Sequence, residues 1–136
     1  MVTLKKQILK DEPVPYRLYA VASSLSVSQM VWSLNRVCNL LLKQNTTLEE
    51  QLGFPAFTDR ETHSGRVVIT LVGNKVAGKT LYPKLANIDF ILEVSGLTDD
   101  DYFNNIIKNI KTIKEVQVVS EVQPSLLKRK NPYCSE

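Results

Sequence analysis

Hydrophobic and polar positions follow two different periods along the chain, and each change of period marks the end of one predicted element. The segment 16–23, YRLYAVAS, is rich in strand-forming residues and predicts a strand. Ser26 and Gln29 then form a capping-box pattern, which predicts the start of a helix spanning about 26–44. The apolar positions of that helix recur at helical spacing: Val27, Met30, Val31, Leu34, Cys38, Leu41 and Leu42.

Strand and turn signals return after this helix. A polar, turn-rich segment predicts an exposed irregular connection with a short strand near 55–61, closed by a turn at His63-Ser64-Gly65. Two further strands are predicted at 66–72 (RVVITLV) and 88–94 (IDFILEV), joined by a loop over 73–80. Thr98 is the predicted N-cap of a second helix, and 115–122 (EVQVVSEV) is the last predicted strand. The buried stripe of the second helix is Phe103, Ile106, Ile107, Ile110 and Ile113.

The resulting order is β-α-β-β-β-α-β, which predicts an α+β fold. We expect a mainly antiparallel sheet of about five strands with both helices on one face, related to the ferredoxin-like split βαβ arrangement. The 136 residues are the size of one domain, with an N-terminal arm at 1–15 and a C-terminal tail at 123–136.

The strand over 88–94 has one fully apolar face, formed by Ile88, Phe90, Leu92 and Val94, which we expect to meet the helices. The opposite sheet face still carries apolar residues, and we predict that it, or a sheet edge, forms a homodimer interface. The N-terminal arm is the alternative cover for this face. The predicted interface residues are Val68, Val72, Ile91 and Val119.

Composition narrows the class of protein. The chain is 43% apolar and 23% charged, which is typical of a globular protein. Its net charge of +3 is lower than that of most proteins that bind nucleic acid. It has no apolar run long enough to span a membrane and no signal-peptide pattern, so we expect a cytoplasmic protein. Two cysteines are too few for a disulfide framework or a zinc site.

The segment 73–80, GNKVAGKT, fits the P-loop pattern G-x-x-x-x-G-K-[ST]. A working P-loop needs a helix that begins at its last residues, because the helix N-terminus binds the phosphates. Pro83 would break such a helix in its second turn, and the next predicted element is a strand. We therefore predict a connector that binds no nucleotide.

The residues after this loop, 82–90 (YPKLANIDF), resemble the signature of the bacterial IPExxxVDY family. Pro83 and Asp89 match that signature, Ile88 and Phe90 replace Val and Tyr conservatively, and Tyr82 and Lys84 depart from it. VWSLNR at 31–36 and PSLLK at 124–128 also resemble family segments. The resemblance implies a small cytoplasmic bacterial protein and brings no activity, cofactor or catalytic residue with it.

Polar clusters are weak candidates for chemistry. His63 has no second His or Cys nearby in the sequence, and the acidic run 99–101 is explained by helix capping and the helix dipole. Asp89, Glu93 and Glu121 are read as solvated carboxylates, and Trp32 as a residue at the edge of the core. No nucleophile–base pair, metal-ligand spacing or cofactor motif is visible.

The sequence therefore predicts a non-enzymatic interaction or adaptor module, a homodimer with a further protein partner. Two alternatives stay open. One is a small-ligand regulatory domain of the ACT type. The other is weak nucleic-acid binding by the basic ends, Lys5, Lys6, Lys10, Lys128, Arg129 and Lys130, although no interleaved aromatic residues favour base stacking.

Overall fold

A computed structural model describes residues 16–96 and 99–123 of the chain. The strands are β1 Tyr16–Ser23, β2 Lys43–Gln44, β3 Ala56–Asp59, β4 Val67–Gly73, β5 Lys75–Val76, β6 Lys79–Thr80, β7 Phe90–Gly96 and β8 Val116–Val122. The helices are α1 Val27–Val37, α2 Thr46–Leu52 and α3 Asp100–Ile110, and a single 3-10 turn spans Pro83–Leu85.

Six of these strands form one antiparallel sheet in the order β2-β3-β4-β7-β1-β8, while β5 and β6 form a separate hairpin. The expected α+β class with a mainly antiparallel sheet is confirmed. The expected five strands and two helices are wrong in detail, since the described residues form six sheet strands and three α-helices. Without β2, β3, α2 and the hairpin, the order is β-α-β-β-α-β, that of a split βαβ unit.

Both α1 and α3 pack on one face of the sheet, as predicted. Their apolar stripes meet the alternate residues of β1, β4 and β7 that point to that face. The stripe predicted for the second helix is buried at four positions, and only Ile107 is half-exposed. The fully buried centre of this core is formed by Met30, Leu34, Ile69, Leu71, Leu92, Val94 and Ile110.

Helix α1 begins where the sequence predicts and ends seven residues earlier. The Ser26 side chain accepts from the Gln29 N–H, and the Gln29 side chain accepts from the Ser26 N–H, which completes the capping box. After Val37 the chain turns through Asn39 at a φ of 55°, which no α-helix tolerates. Leu41 and Leu42 consequently lie in an extended segment, where the Leu42 side chain is buried and the Leu41 side chain is 49% exposed.

The connection predicted to be irregular holds β2 and α2. Asn45 caps α2 by accepting from the Leu48 N–H at 3.1 Å, and Gly53 ends it in the left-handed conformation at a φ of 78°. Only Leu48 of this helix is buried, so it lacks an apolar stripe wide enough to recognise in the sequence. It packs on the sheet face opposite α1 and α3, around Ala56 and Val72.

The second predicted helix, α3, is capped by Asp99, whose carboxylate accepts from the Tyr102 N–H at 3.0 Å. The predicted cap, Thr98, lies outside the described residues, as do the predicted N-terminal arm and all but the first residue of the predicted tail. Asp100 and Asp101 occupy the first turn, in agreement with the predicted dipole role of the acidic run.

Candidate functional site

The sheet face opposite α1 and α3 is partly covered by the chain itself. One transverse row of this face runs from Ala20 on β1 through Ile91 and Val72 to Ala56 on β3. The segment 81–88 covers the first half of the row with Tyr82, and α2 covers the second half. All four residues of the row are at most 2% exposed.

The four predicted interface residues therefore do not form one open surface. Val72 and Ile91 are buried beneath the covers just described. Val119 pairs with Val21 and packs on the helix side of the sheet, so its assignment to the other face is wrong. Only Val68 remains on the open part, where it is half-buried.

The open part of this face is a cleft of about 810 Å³ between the sheet and the N-terminal half of α2. Its floor is a row of side chains on adjacent strands, Thr58 on β3, Thr70 on β4 and Glu93 on β7, each aligned with the next. The two threonine hydroxyls are 3.2 Å apart, and Asn45 Nδ2 donates to Thr58 Oγ1 at 3.1 Å. The cleft thus has a buried hydrogen-bonded polar floor, which sequence reasoning missed because it exists only through strand register.

Four charged residues line this cleft. Lys43 and Glu61 form an exposed ion pair with Nζ 2.7 Å from the carboxylate, so their charges cancel at the rim. Arg60 extends from the end of β3, and Glu93 sits on the floor. The formal charges of the lining residues therefore sum to zero.

The second candidate feature is the sheet edge at β8. Among the described residues β8 pairs with β1 alone, so its outer edge has no strand partner there. The strand is seven residues long and contains neither lysine nor proline, and Val118 is 47% exposed. The opposite edge, β2, has two residues and carries Lys43. Short, lysine-bearing edges resist pairing with other chains, whereas long apolar edges invite it.

The P-loop-like segment has the geometry of a hairpin. Gly73 is the last residue of β4, and Lys75–Val76 pairs antiparallel with Lys79–Thr80 around a turn at Ala77 and Gly78. No helix begins at Thr80, because the next regular structure is the three-residue turn at Pro83–Leu85. The backbone arrangement that lets this motif cradle phosphates is thus not formed.

Asn74, one of the variable letters of that motif, organises the whole cover over 81–88. It is fully buried; its Nδ2 donates to the carbonyls of Leu85 and Ile88 at 2.9 Å, and its Oδ1 accepts from the Tyr82 N–H at 2.9 Å. This role of Asn74 was not predicted from the sequence, although a Gly-Asn pair after a buried strand is a local turn signal.

The residues that resemble the IPExxxVDY signature, within 82–90, lie in and next to this cover. Pro83 opens the 3-10 turn, and Phe90 is buried in the main core as predicted. Ile88 precedes the strand and packs beside Tyr82 on the opposite face, so its predicted place against the helices is wrong. Asp89 accepts from the Ser23 N–H at 2.8 Å and lies 3.5 Å from Lys75 Nζ.

The three carboxylates predicted on neighbouring strands do not converge. Glu93 is aligned with Leu18 on the cleft face, whereas Glu121 is aligned with Tyr19 on the helix face, where it lies 3.8 Å from Arg17. The Asp89 carboxylate accepts a hydrogen bond from the Ser23 N–H at the end of β1. Since Glu93 and Glu121 lie on different faces and Asp89 is bonded to Ser23 beyond the strand, the three acids do not converge on one site.

His63 has a partner that the sequence did not indicate. Its Nε2 lies 2.7 Å from the Tyr102 hydroxyl, and the two rings meet edge to face. Burial, together with the nearby charges of Asp59 and Cys38, raises the pKa of Tyr102 to about 12. The pair therefore joins the turn after β3 to α3, and the phenol stays protonated at neutral pH.

Two further side chains are a possible nucleophile, the Cys38 thiol, and an exposed aromatic ring, Trp32. Burial raises the pKa of the Cys38 thiol to about 11, which makes it a weak nucleophile and agrees with its predicted packing role. Trp32 is 63% exposed on α1, so its predicted place at the edge of the core is wrong; the Arg36 guanidinium lies 4.9 Å from its ring centre. Within the described ranges, no group of three or more His, Cys, Asp and Glu side chains is placed to hold a metal ion.

Across residues 16–96 and 99–123, none of the helices combines the length and apolar character that a bilayer crossing requires. The basic residues near both chain ends, the candidates for nucleic-acid contact, lie outside these ranges. Comparison of the chain with protein-family models, curated proteins and solved structures found no match. The resemblance to the IPExxxVDY family accordingly stays a prediction from the residues around Pro83 and Asp89.

Proposed function

We propose that the chain is a protein-interaction module that pairs with a second copy of itself through β8. The observation that carries this proposal is the seven-residue edge strand whose outer side has no partner among the described residues. Addition of a strand to such an edge is a common mode of recognition, because every main-chain donor and acceptor on that side gains a partner.

The sequence of β8 suits antiparallel pairing with its own copy. If the two-fold axis passes through Val119, then Gln117 lies opposite Glu121, Val118 opposite Ser120, and Val116 opposite Val122. No like charges meet in this register. Shifting the axis to Val118 would place Glu115 opposite Glu121, so charge favours the register centred on Val119.

The ferredoxin-like relation is part of the same proposal. It is supported by the order of four neighbouring strands in the sheet, β4-β7-β1-β8, and by the position of both crossover helices on one face. In this arrangement the strand order places β8 at the edge of the sheet, so the fold leaves one side of β8 available for the proposed pairing.

Sedimentation equilibrium of the full chain tests the proposal. We expect a particle of twice the 15.4 kDa chain mass that dissociates on dilution. Gln117→Glu places like charges opposite Glu121 twice per dimer and should weaken association. Gln117→Lys at the same position places opposite charges there and should strengthen it. At about 0.2–1 kcal/mol per cross-strand pair, each change alters the dissociation constant by roughly two- to thirtyfold.

The two substitutions are matched controls for each other, because both add a charge at one exposed position. A monomer at every concentration would overturn the proposal. A dimer whose affinity responds equally to both variants would also overturn it, because the contact would then lie elsewhere.

A further inference from the structure

We infer that α3 forms a second part of the dimer interface, in which it lies antiparallel to α3 of the second copy and contacts it through opposite charges. This inference rests on the proposed pairing of β8 and adds a surface that strand pairing alone does not require. The two-fold axis of an antiparallel strand pair is perpendicular to the sheet, so both copies carry their helices on the same side. Helix α3 leads directly into β8 and is the helix nearest to that axis.

Helix α3 lies over the two strands at this edge of the sheet. The Phe103 ring is 6.4 Å from the Tyr19 ring on β1, and α3 also contacts β8. With strands about 4.8 Å apart, the two α3 axes of the dimer are about 10 Å apart if each helix lies midway between β1 and β8, and about 14 Å apart if each lies over β1. A helix with its side chains is about 10–12 Å wide, so long side chains on the facing flanks touch.

The contacts of Arg17 identify the flank of α3 that faces the sheet edge. Its guanidinium lies 2.8 Å from Asp100 on α3 and 3.8 Å from Glu121 on β8, so the Asp100 side of the helix faces β8. Tyr102, on the other side of the helix, contacts His63 in the turn before β4, away from this edge. Residues four, seven and eleven positions after Asp100 share its flank. They are Asn104, Ile107 and Lys111.

This flank is acidic at one end and basic at the other. The Asp100 side chain is 80% exposed although it contacts Arg17, so its carboxylate is open to a second cation. Lys111 is exposed and forms no ion pair within residues 16–96 and 99–123. Ile107, between them, is half-exposed and adds an apolar contact near the middle of the flank. Such a surface is complementary to itself after the half-turn of a two-fold axis.

The register of β8 brings the acidic end of one copy to the basic end of the other. The ion pairs with Arg17 place Asp100 level with Glu121. Lys111 follows Asp100 by eleven positions, a helical rise of about 16 Å or about five strand residues, so Lys111 lies level with Val116. The proposed register sets Val116 opposite Val122 of the second copy. Lys111 and Asp100 of different copies are thus offset by about 3–4 Å along the strands, which a lysine side chain spans.

Charge favours a second copy over another partner on this flank. A partner with one sign of charge would be repelled at one end, whereas a second copy matches both ends. Lys108 and Lys114 add positive charge near Lys111, and Glu115 at the start of β8 offsets part of it. The flank also adjoins β8, so strand pairing and helix contact occur in one association.

Charge reversal in the full chain tests the inference, with association measured by sedimentation equilibrium. Lys111→Glu places like charges opposite Asp100 twice per dimer and should weaken association about fivefold or more. Asp100→Lys should weaken it to a similar degree for the same reason. Lys84→Glu makes the same change of charge in the cover of the opposite sheet face and should alter association less than about twofold.

Mixing the two variants is the sharper measurement. The Lys111→Glu copy and the Asp100→Lys copy meet with opposite charges at both contacts, so they should form a heterodimer about fivefold or more tighter than either homodimer. Native mass spectrometry distinguishes the heterodimer when one variant is labelled with nitrogen-15. A variant whose helix had lost its structure would not regain affinity on mixing, so heterodimer formation also shows that both variants fold.

The outcomes separate this inference from the proposed strand pairing. A monomer at every concentration would overturn both. A dimer that responds to the Gln117 variants but not to Lys111→Glu would overturn the α3 contact alone. Statistical mixing of the two variants, or affinity that is not regained on mixing, would likewise overturn the α3 contact and leave the pairing of β8 intact.

Discussion

Asn74 has no exposed surface, and its side chain makes three hydrogen bonds to the backbone of residues 82–88. Its own backbone N–H also donates to the Asp89 carbonyl, and its carbonyl accepts from the Leu81 N–H. The Asn74 side chain thereby supplies hydrogen-bond partners to backbone groups of the segment 81–88, which forms no α-helix or strand ladder that could supply them. Because that cover buries Ile91, Asn74 holds closed the part of the second sheet face that lies around Ile91.

We predict that Asn74→Asp destabilises the protein by about 3 kcal/mol or more. The substitution removes both donated hydrogen bonds and buries a carboxylate against two carbonyl oxygens, and each unsatisfied buried group costs about 1–3 kcal/mol. Urea unfolding measures the change, and hydrogen exchange should show the loss concentrated in 81–88. The exposed Asn87→Asp is the matched control and should change stability by less than about 0.5 kcal/mol. Equal effects at the two positions would contradict the assigned role.

The hairpin of β5 and β6 is the element whose sequence fits its geometry least well. Its turn residues, Ala77 and Gly78, have φ values of 50° and 83°, and two positive values are typical of a type I′ turn. Glycine adopts this conformation freely, whereas alanine pays about 1–2 kcal/mol for it. Ala77 is exposed, so no side-chain contact compensates for this cost.

Ala77→Asn should therefore stabilise the protein by up to about 1 kcal/mol, because Asn tolerates the left-handed region and Asn-Gly is the preferred pair for this turn. Ala77→Val should destabilise it, since a β-branched residue is strained there. Urea midpoints at unchanged m-value measure both effects. If Ala77→Asn were neutral and Ala77→Val harmless, the turn geometry described above would be wrong.

Elements whose signal is local were predictable from the sequence. The strand β1 follows from a run of strand-forming residues and the start of α1 from a capping box, both contained within a few residues. The end of α1 depends on Asn35, whose side chain bonds both the N–H and the carbonyl of Leu42 and fixes an extended segment. Leu41 and Leu42 match a helical period, so the extended segment is distinguished from a longer helix by tertiary contacts such as those of Asn35 with Leu42 and of Asp59 with the Leu41 N–H.

The candidate sites were less predictable than the elements because they depend on register and strand order. Thr58, Thr70 and Glu93 come from three strands, and their alignment follows from pairings that periodicity does not specify. The predicted homodimer interface was either this sheet face or a sheet edge, and the strand that would form the edge was not specified. The face was the weaker option, since α2 and Tyr82 bury two of its four predicted residues.

At the scale of the whole molecule, Asp59 joins the segment after α1 to the turn that follows β3. Its carboxylate accepts from the Leu41 N–H after α1 at 3.0 Å, and from the N–H groups of Glu61 and Thr62 in the turn before β4 at 2.9 and 3.0 Å. The Thr62 hydroxyl also donates to it. Burial alone raises the pKa of Asp59, but these four hydrogen bonds outweigh burial and lower it below its ordinary value.

The lowered pKa makes global stability depend on pH with a definite sign. The ionised form is favoured in the folded state, so its stabilisation is complete above the unfolded pKa of about 3.9 and is lost as pH falls through the lower folded pKa. Asp59→Asn should cost about 2 kcal/mol or more at pH 7, because an amide –NH₂ replaces an oxygen that accepts two hydrogen bonds. The difference in unfolding free energy between the two proteins should narrow below about pH 4. Urea titrations from pH 7 to pH 3 measure it, with the exposed Glu50→Gln as control. A difference that stays constant over this range would mean that the ionised carboxylate of Asp59 does not hold the segment after α1 to the turn after β3.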